Sequence, residues 1–159
     1  MSAEEDQLLK RALAAMDGCT RRLEHSRAKL QTRFPLEPQQ LAHLTPQDEE
    51  AIDALLKRFE QLVATIQDQA FKGIALAEAE DLRAMSRRDV TELMEKLGVL
   101  PSAQAFRDLV VVRNRLAHTY PDDPDRQAAI LNAAYTGTLD LLATARHISR
   151  FVEGRRYAP

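Results

Sequence analysis

The sequence RNRLAHTY at residues 113–120 brings together side chains that can bind a phosphate and move a proton. An arginine guanidinium binds phosphate oxygens, and a histidine accepts or donates a proton near neutral pH. RNA cleavage without a metal ion needs both functions. The 2′-hydroxyl must lose a proton, the leaving oxygen must gain one, and charge on the phosphoryl oxygens must be neutralised. Arg113 and His118 are therefore candidates for this chemistry, with Asn114 between them.

The residues before this cluster predict the helix that positions it. Residues 106–112 are mostly apolar, and on a helical wheel with about 100° per residue Arg113 falls inside their arc. Asn114 and His118 lie four residues apart, so the wheel stacks them on the flank of that arc. An arginine is seldom directed at an apolar face without a partner. We therefore expect Arg113 to bind either an acid on another helix or an anionic ligand.

A purely structural arrangement explains the same residues. Arg113 would pair with Glu60 or Asp68 of an earlier helix, and Asn114 and His118 would cap the helix end. Against this, the C-terminal end of a helix favours a protonated imidazole, which suits proton transfer. One histidine is few for two proton transfers, and a twofold homodimer would supply a second. Spacing alone leaves both interpretations open.

No other part of the chain predicts a metal or cofactor site. The remaining histidines show no ligand spacing with Cys19 or with paired acids, and no glycine-rich phosphate-binding loop is present. A single cysteine also excludes an internal disulfide, which fits a reducing compartment. We expect no metal and no cofactor.

The bulk composition is that of an ordinary globular protein. Of the 159 residues, 45% are hydrophobic and 29% are charged, and the formal net charge is −2. This charge does not favour a protein that coats nucleic acid. Two arginine-rich segments, residues 21–33 and 146–156, are more simply interpreted as solvated helix faces. The chain has no apolar stretch long enough to span a membrane and begins with an acidic segment, so a cytoplasmic location is expected.

Few glycines and aromatics and no period-two alternation predict a single all-helical domain over residues 1–159. A proline-rich strap at about 33–46 interrupts the helical pattern. Thr45, Ser86 and Ser102 are expected to cap helices, Gly98 to end one, and Gly73 to loosen another. The predicted helices span about 3–32, 45–72, 86–98, 102–118 and 125–151.

The motif and its context resemble a known family. RNRLAHTY has the R-N-x-x-x-H-x-Y form of the Rx4–6H signature of HEPN domains. The longer stretch SRRDVTELMEKLGVLPSAQAFRDLVVVRNRLAHTY strongly resembles prokaryotic HEPN proteins encoded beside a minimal nucleotidyltransferase, among them the HepT-type toxins. RFE at 58–60 is similar to a motif on their second helix. The resemblance covers roughly residues 50–150.

This resemblance implies a fold and an activity. The fold would be an up-and-down four-helix bundle with an additional short helix, dimerised so that two motifs face each other. The activity would be metal-independent endoribonuclease cleavage of tRNA or mRNA by a toxin. By position, Arg113 would bind the scissile phosphate, His118 would act as general acid and base, and Asn114 would orient the site. A helix-two acid, Glu60 rather than Asp68, would hold Arg113.

The resemblance also implies a partner. Tyr120 matches the tyrosine that a cognate nucleotidyltransferase antitoxin adenylylates to silence HepT-type toxins. The main alternative is a non-catalytic subunit that binds nucleotide or partner for that transferase, and a plain oligomerisation module is a third. The complete set of Arg113, Asn114, His118 and Tyr120 favours the toxin.

Overall fold

The computed structural model describes residues 1–155, which form helices and their connections with no strand among them. The predicted all-helical class is confirmed. A 3-10 helix lies at Pro38–His43 and a π-helical turn at Ile66–Ala70. The α-helices are α1 (Ala3–Leu30), α2 (Pro46–Thr65), α3 (Phe71–Ala77), α4 (Arg87–Leu97), α5 (Ala103–Leu116) and α6 (Pro124–Arg155).

Capping side chains set the helix starts, as the sequence predicts. The hydroxyls of Thr45 and Ser86 each accept a hydrogen bond from the backbone N–H three residues on, and the aspartate at that position accepts one from the backbone N–H of the cap residue. The Ser102 hydroxyl accepts a bond from the Ala105 N–H. Gly98 ends α4 with a φ of 86°, a conformation that costs glycine little.

α2, the π turn and α3 form one continuous rod, residues 46–77, and α1 runs antiparallel to it. Their packing buries a shared core that includes Leu23 and Phe59, both fully buried. Contacts along the length of the two helices join Ser26 to Arg58, Cys19 to Thr65 and Leu9 to Gly73.

Gly73 does not loosen the rod, contrary to the expectation from sequence. The helix continues past it to Ala77, and a Cβ at Gly73 would lie 3.3 Å from the Leu9 Cα. This glycine therefore allows α1 to approach closely. The irregularity lies earlier, where the Phe71 N–H donates to the Ile66 carbonyl across the π turn.

α5 and α6 complete the core on the other side of the rod. α5 runs antiparallel to the rod, with Phe106 edge-on to Phe71 at 5.4 Å between ring centroids. α6 packs on α5, and the absence of a side chain at Gly137 leaves space for the Leu109 side chain. The short helix α4 packs on α5. Four long helical elements thus alternate in direction along the chain.

The strap, residues 33–46, is folded against α6. The Phe34 ring stacks on Tyr135 at 4.4 Å between centroids, with 6° between the ring planes. The Asn132 side chain accepts from the Leu36 N–H at 2.7 Å and donates to the Leu36 carbonyl at 2.9 Å. The strap is therefore an ordered part of the fold.

The C-terminal part of the chain differs slightly from the prediction. α5 ends at Leu116 rather than at His118, and α6 continues to Arg155. Arg156 of the second arginine-rich segment lies outside the described residues. Within residues 1–155, no helix has the length and apolar character needed to cross a membrane.

Candidate functional site

Arg113 lies near the end of α5, half-buried, and faces the rod, as the helical wheel predicts. Its Nη1 donates to Gln67 Oε1 at 3.2 Å. Its Nε and Nη2 donate to Asn114 Oδ1 at 3.3 and 3.2 Å. Two amide oxygens therefore hold the guanidinium from two directions.

The resemblance implies that an acid of the second helix holds Arg113, but the structure shows two amide oxygens in contact with it. Asp68 pairs instead with Arg87, at 3.2 Å between Oδ1 and Nη2. Glu60 borders the same surface depression as Arg113, but no ion pair within residues 1–155 includes Arg113. Among the described residues, no carboxylate therefore forms an ion pair with this guanidinium.

The depression beside Arg113 is open to solvent. Glu60, Asn114 and Arg113 line it together with Lys57, which adds a second cation. Oxygen atoms of a phosphate are the ligands that such paired cations bind. The structure thus brings together three of the sequence-predicted site residues, Arg113, Asn114 and Glu60.

Gln67 is the site residue that sequence reasoning missed. It lies in the π turn, and its Oε1 accepts from Arg87 Nη1 at 3.0 Å as well as from Arg113. A glutamine on a helix carries no signal of its own, since exposed helical faces are rich in this residue. The signal that could have found it is the helical period, which puts residue 67 on the same face as Glu60.

His118 and Tyr120 lie beyond the end of α5 and line a different depression. The His118 backbone N–H donates to the Arg115 carbonyl at 3.2 Å, and its side chain is exposed. Because α5 ends at Leu116, His118 does not continue the helical column above Asn114 that the wheel predicts. Within one chain, His118 and Arg113 therefore line separate depressions.

The groove at His118 and Tyr120 has a volume of about 530 Å³. Its floor is apolar and its rim carries the exposed carboxylates of Glu49 and Asp53. The Arg126 guanidinium covers the Tyr120 ring at 3.8 Å from the centroid, and the Tyr120 N–H donates to Gln127 Oε1. Floor residues come from the strap, α2, α5 and α6: Leu41, Leu44, Ile52, Leu56, Leu116 and Leu131.

The three residues of the RFE segment, 58–60, have different environments. Arg58 donates through Nη1 to Ser26 Oγ at 2.7 Å and to the Arg22 carbonyl at 3.2 Å, which joins the rod to α1. Phe59 is fully buried in the core. Glu60 alone borders the depression at Arg113.

Cys19 and His147 have contacts that hold them within the fold. Cys19 is buried, with its sulfur 3.5 Å from Thr65 Oγ1. A ring nitrogen of His147 lies 3.1 Å from the Gly98 carbonyl oxygen. Over the described part of the chain, no three His, Cys, Asp or Glu side chains are grouped to hold a metal ion.

No family model, curated protein or solved structure matches this chain. The resemblance to HEPN proteins therefore depends on the motif at 113–120 and its preceding context.

Proposed function

We propose that the chain is a HEPN ribonuclease toxin that acts as a homodimer and cleaves tRNA or mRNA without a metal ion. The observation that carries this proposal is the guanidinium of Arg113, which is oriented by two amides beside an open depression and forms no ion pair within residues 1–155. An oriented cation without an acidic partner suits the binding of a phosphate group. The alternating directions of the four long helices support an up-and-down HEPN-like bundle, with α4 as the additional helix.

In the proposed reaction, the RNA 2′-hydroxyl attacks the adjacent phosphorus. A neutral His118 imidazole takes the hydroxyl proton, and a protonated imidazole gives a proton to the 5′-oxygen as its bond to phosphorus breaks. Arg113 neutralises charge on the phosphoryl oxygens, and Asn114 keeps its guanidinium oriented. The products are a 2′,3′-cyclic phosphate and a 5′-hydroxyl. Glu60 remains a candidate site residue on the border of the depression.

A dimer supplies what one chain lacks. Arg113 and His118 of a single chain line separate depressions, and the mechanism needs two imidazoles in opposite protonation states. A twofold arrangement of two motifs would bring the histidine of each chain toward the arginine of the other. The proposed active form is therefore the homodimer.

The direct test incubates purified protein with end-labelled tRNA or mRNA in the presence of a chelator and measures cleavage of the RNA. We expect wild type to cut RNA and leave cyclic phosphate ends. His118→Ala should bind RNA but not cut it, and Arg113→Ala should lose both binding and cutting. Arg115→Ala, an exposed arginine on the same helix, is the matched control and should retain activity. Intact RNA with the wild-type dimer, or full cleavage by His118→Ala, would overturn the nuclease proposal.

The groove under Tyr120 favours a second candidate, a non-catalytic subunit that binds nucleotide or partner for a minimal nucleotidyltransferase. An apolar floor with a polar rim is typical of a binding site, and its volume is within the usual range of about 300–1,000 Å³ for ligand sites. This candidate predicts a stable complex with the neighbour-encoded transferase and no effect of the chain on RNA. The toxin proposal predicts growth arrest on expression, abolished by His118→Ala.

In the toxin proposal the cognate nucleotidyltransferase acts as antitoxin by adenylylating Tyr120. The phenol would lose its proton to solvent, its oxygen would form a bond to the α-phosphorus of ATP, and the bond from that phosphorus to pyrophosphate would break. The position of Tyr120 in the same groove as His118 supports this proposal, because an AMP group on that tyrosine would occupy the space beside the histidine.

A further inference from the structure

We infer that Gln67 is a positioning residue that fixes Arg113 through a neutral contact, so that the guanidinium keeps its charge for an anion. The inference rests on the proposed function only for the identity of that anion, an RNA phosphate. Gln67 lies outside the motif at 113–120, and its proposed role is electrostatic.

The orientation of the Gln67 amide follows from its neighbours. Its Oε1 accepts from Arg113 Nη1 at 3.2 Å and from Arg87 Nη1 at 3.0 Å. A guanidinium has only donors, so the amide must present its oxygen, and not its nitrogen, to both arginines. One neutral oxygen thereby orients two cations without cancelling the charge of either.

Residue 67 lies on the face of the rod that meets Arg113. Glu60 and Ala64, seven and three residues earlier, line the same depression as Arg113, and the helical period brings residue 67 to that face. Successive residues on a helix point about 100° apart, so position 68 faces a different direction. Here the Asp68 carboxylate binds Arg87, and the Gln67 amide binds both arginines.

A carboxylate at position 67 would have the opposite effect. It would attract the Arg113 guanidinium as strongly as a phosphate oxygen does and would compete with the phosphate for the same donors. Because glutamate and glutamine have nearly the same shape, Gln67→Glu changes the charge while it preserves the packing. The structure therefore predicts that this substitution weakens anion binding and leaves the fold intact.

The test measures binding of a fluorescein-labelled 2′-O-methyl RNA, which lacks the nucleophilic hydroxyl and is not cut. We expect Gln67→Glu to weaken binding at least about tenfold, the cost of one charge-assisted hydrogen bond. Its melting temperature should equal or exceed that of wild type, because the new carboxylate adds ion pairs with two arginines. With cleavable RNA the same variant should raise KM more than it lowers kcat.

Two further variants distinguish the effect of a charge at position 67 from the effect of losing the hydrogen bond between Gln67 and Arg113. Asp68→Asn, the matched control, removes a neighbouring carboxylate and should keep wild-type affinity or tighten it. Gln67→Ala removes the contact but leaves the charge of Arg113, so its loss of affinity should be smaller than that of Gln67→Glu. Wild-type affinity of Gln67→Glu, or equal losses in the two Gln67 variants, would overturn the inference.

A second measurement tests the role of Gln67 without requiring that the protein cleave RNA. Inorganic phosphate is titrated into the protein while the Arg113 Nε–H resonance is followed by NMR, with Arg113→Ala to assign the signal. A shift in wild type and Asp68→Asn that is lost in Gln67→Glu supports the inference even if RNA is never cut. The same shift in all three proteins, or none in wild type, overturns it, whether or not the nuclease proposal stands.

Discussion

Gly73 lies so close to Leu9 that an added Cβ would stand 3.3 Å from the Leu9 Cα and 3.3 Å from its Cδ1. This contact sets the distance between α1 and the rod at the end opposite to the strap. A glycine inside a helix normally costs stability, about 1 kcal/mol relative to alanine. Its presence here is explained by the space that it leaves for the α1 backbone.

Gly73→Ala should lower the free energy of unfolding by about 1 kcal/mol. The helical gain from alanine is outweighed by overpacking, which typically costs about 1–3 kcal/mol when a backbone must move. The control is Gly18→Ala, whose Cβ would meet only the flexible Arg22 guanidinium at 3.6 and 3.8 Å and which should gain up to about 1 kcal/mol. Urea denaturation measures the free energy of unfolding of both variants, and an increase in both would contradict the packing explanation.

Asn132→Ala should release the strap from α6. The Leu36 N–H and carbonyl both lose their partner, and Leu36 is 4% exposed, so we expect a loss of about 2 kcal/mol of stability. Hydrogen exchange at the Leu36 amide should accelerate and proteolysis within residues 33–46 should increase. Asp140→Ala, an exposed position on the same helix, should change neither. Unchanged exchange at Leu36 would show that the Phe34–Tyr135 stack alone holds the strap.

Acid should loosen the connection between α3 and α4. Hydrogen bonds from the side chain and backbone of Arg83 hold the pKa of the Asp81 carboxyl below its usual value. Because this pKa is lowered in the folded state, the contact stabilises the connection above the ordinary pKa of aspartate and is lost as the pH falls through the lowered value.

Carboxyl NMR titration tests this pH dependence. Arg83→Ala should raise the pKa of Asp81 toward the ordinary value for aspartate, since it removes the guanidinium hydrogen bonds. Arg88→Ala, whose guanidinium pairs with Glu92, should leave the Asp81 titration unchanged. An unaltered pKa in Arg83→Ala would show that the contact does not persist in solution.

Incubation with the neighbour-encoded nucleotidyltransferase and ATP should add AMP to Tyr120, and Tyr120→Phe should abolish the mass shift. Tyr135→Phe is the matched control, because Tyr135 stacks on Phe34 in the strap and lies away from the groove. We expect Tyr135→Phe to be modified like wild type. Modification of Tyr120→Phe, or an unshifted Tyr120 peptide in wild type, would contradict adenylylation at this position.

Helix starts and the inward direction of Arg113 were predictable because they depend on local chemistry. A hydroxyl at Thr45 or Ser86 satisfies backbone N–H groups only a few residues away, and a glycine at position 98 adopts a positive φ at little cost. The wheel placed Arg113 correctly because α5 is regular up to that residue.

The partners of Arg113 were not predictable from spacing. The sequence offered Glu60 and Asp68 as acids on the second helix, but spacing does not show which polar side chain lies within hydrogen-bonding distance of Arg113. The predicted position of His118 is wrong for a different reason, since α5 ends before it and the chain turns toward the groove. This error follows from extending a regular helix through a place where the backbone departs from it.

The sequence by itself therefore determined the helical class, the capped helix starts and the set of polar side chains at residues 113–120. The tertiary structure decided that an amide rather than a carboxylate holds Arg113, and that His118 and Tyr120 share a separate groove. The physical reason is the range of the interactions. Caps and periodicity act over a few residues, whereas the charge state of a site depends on which side chains from distant helices are brought within hydrogen-bonding distance.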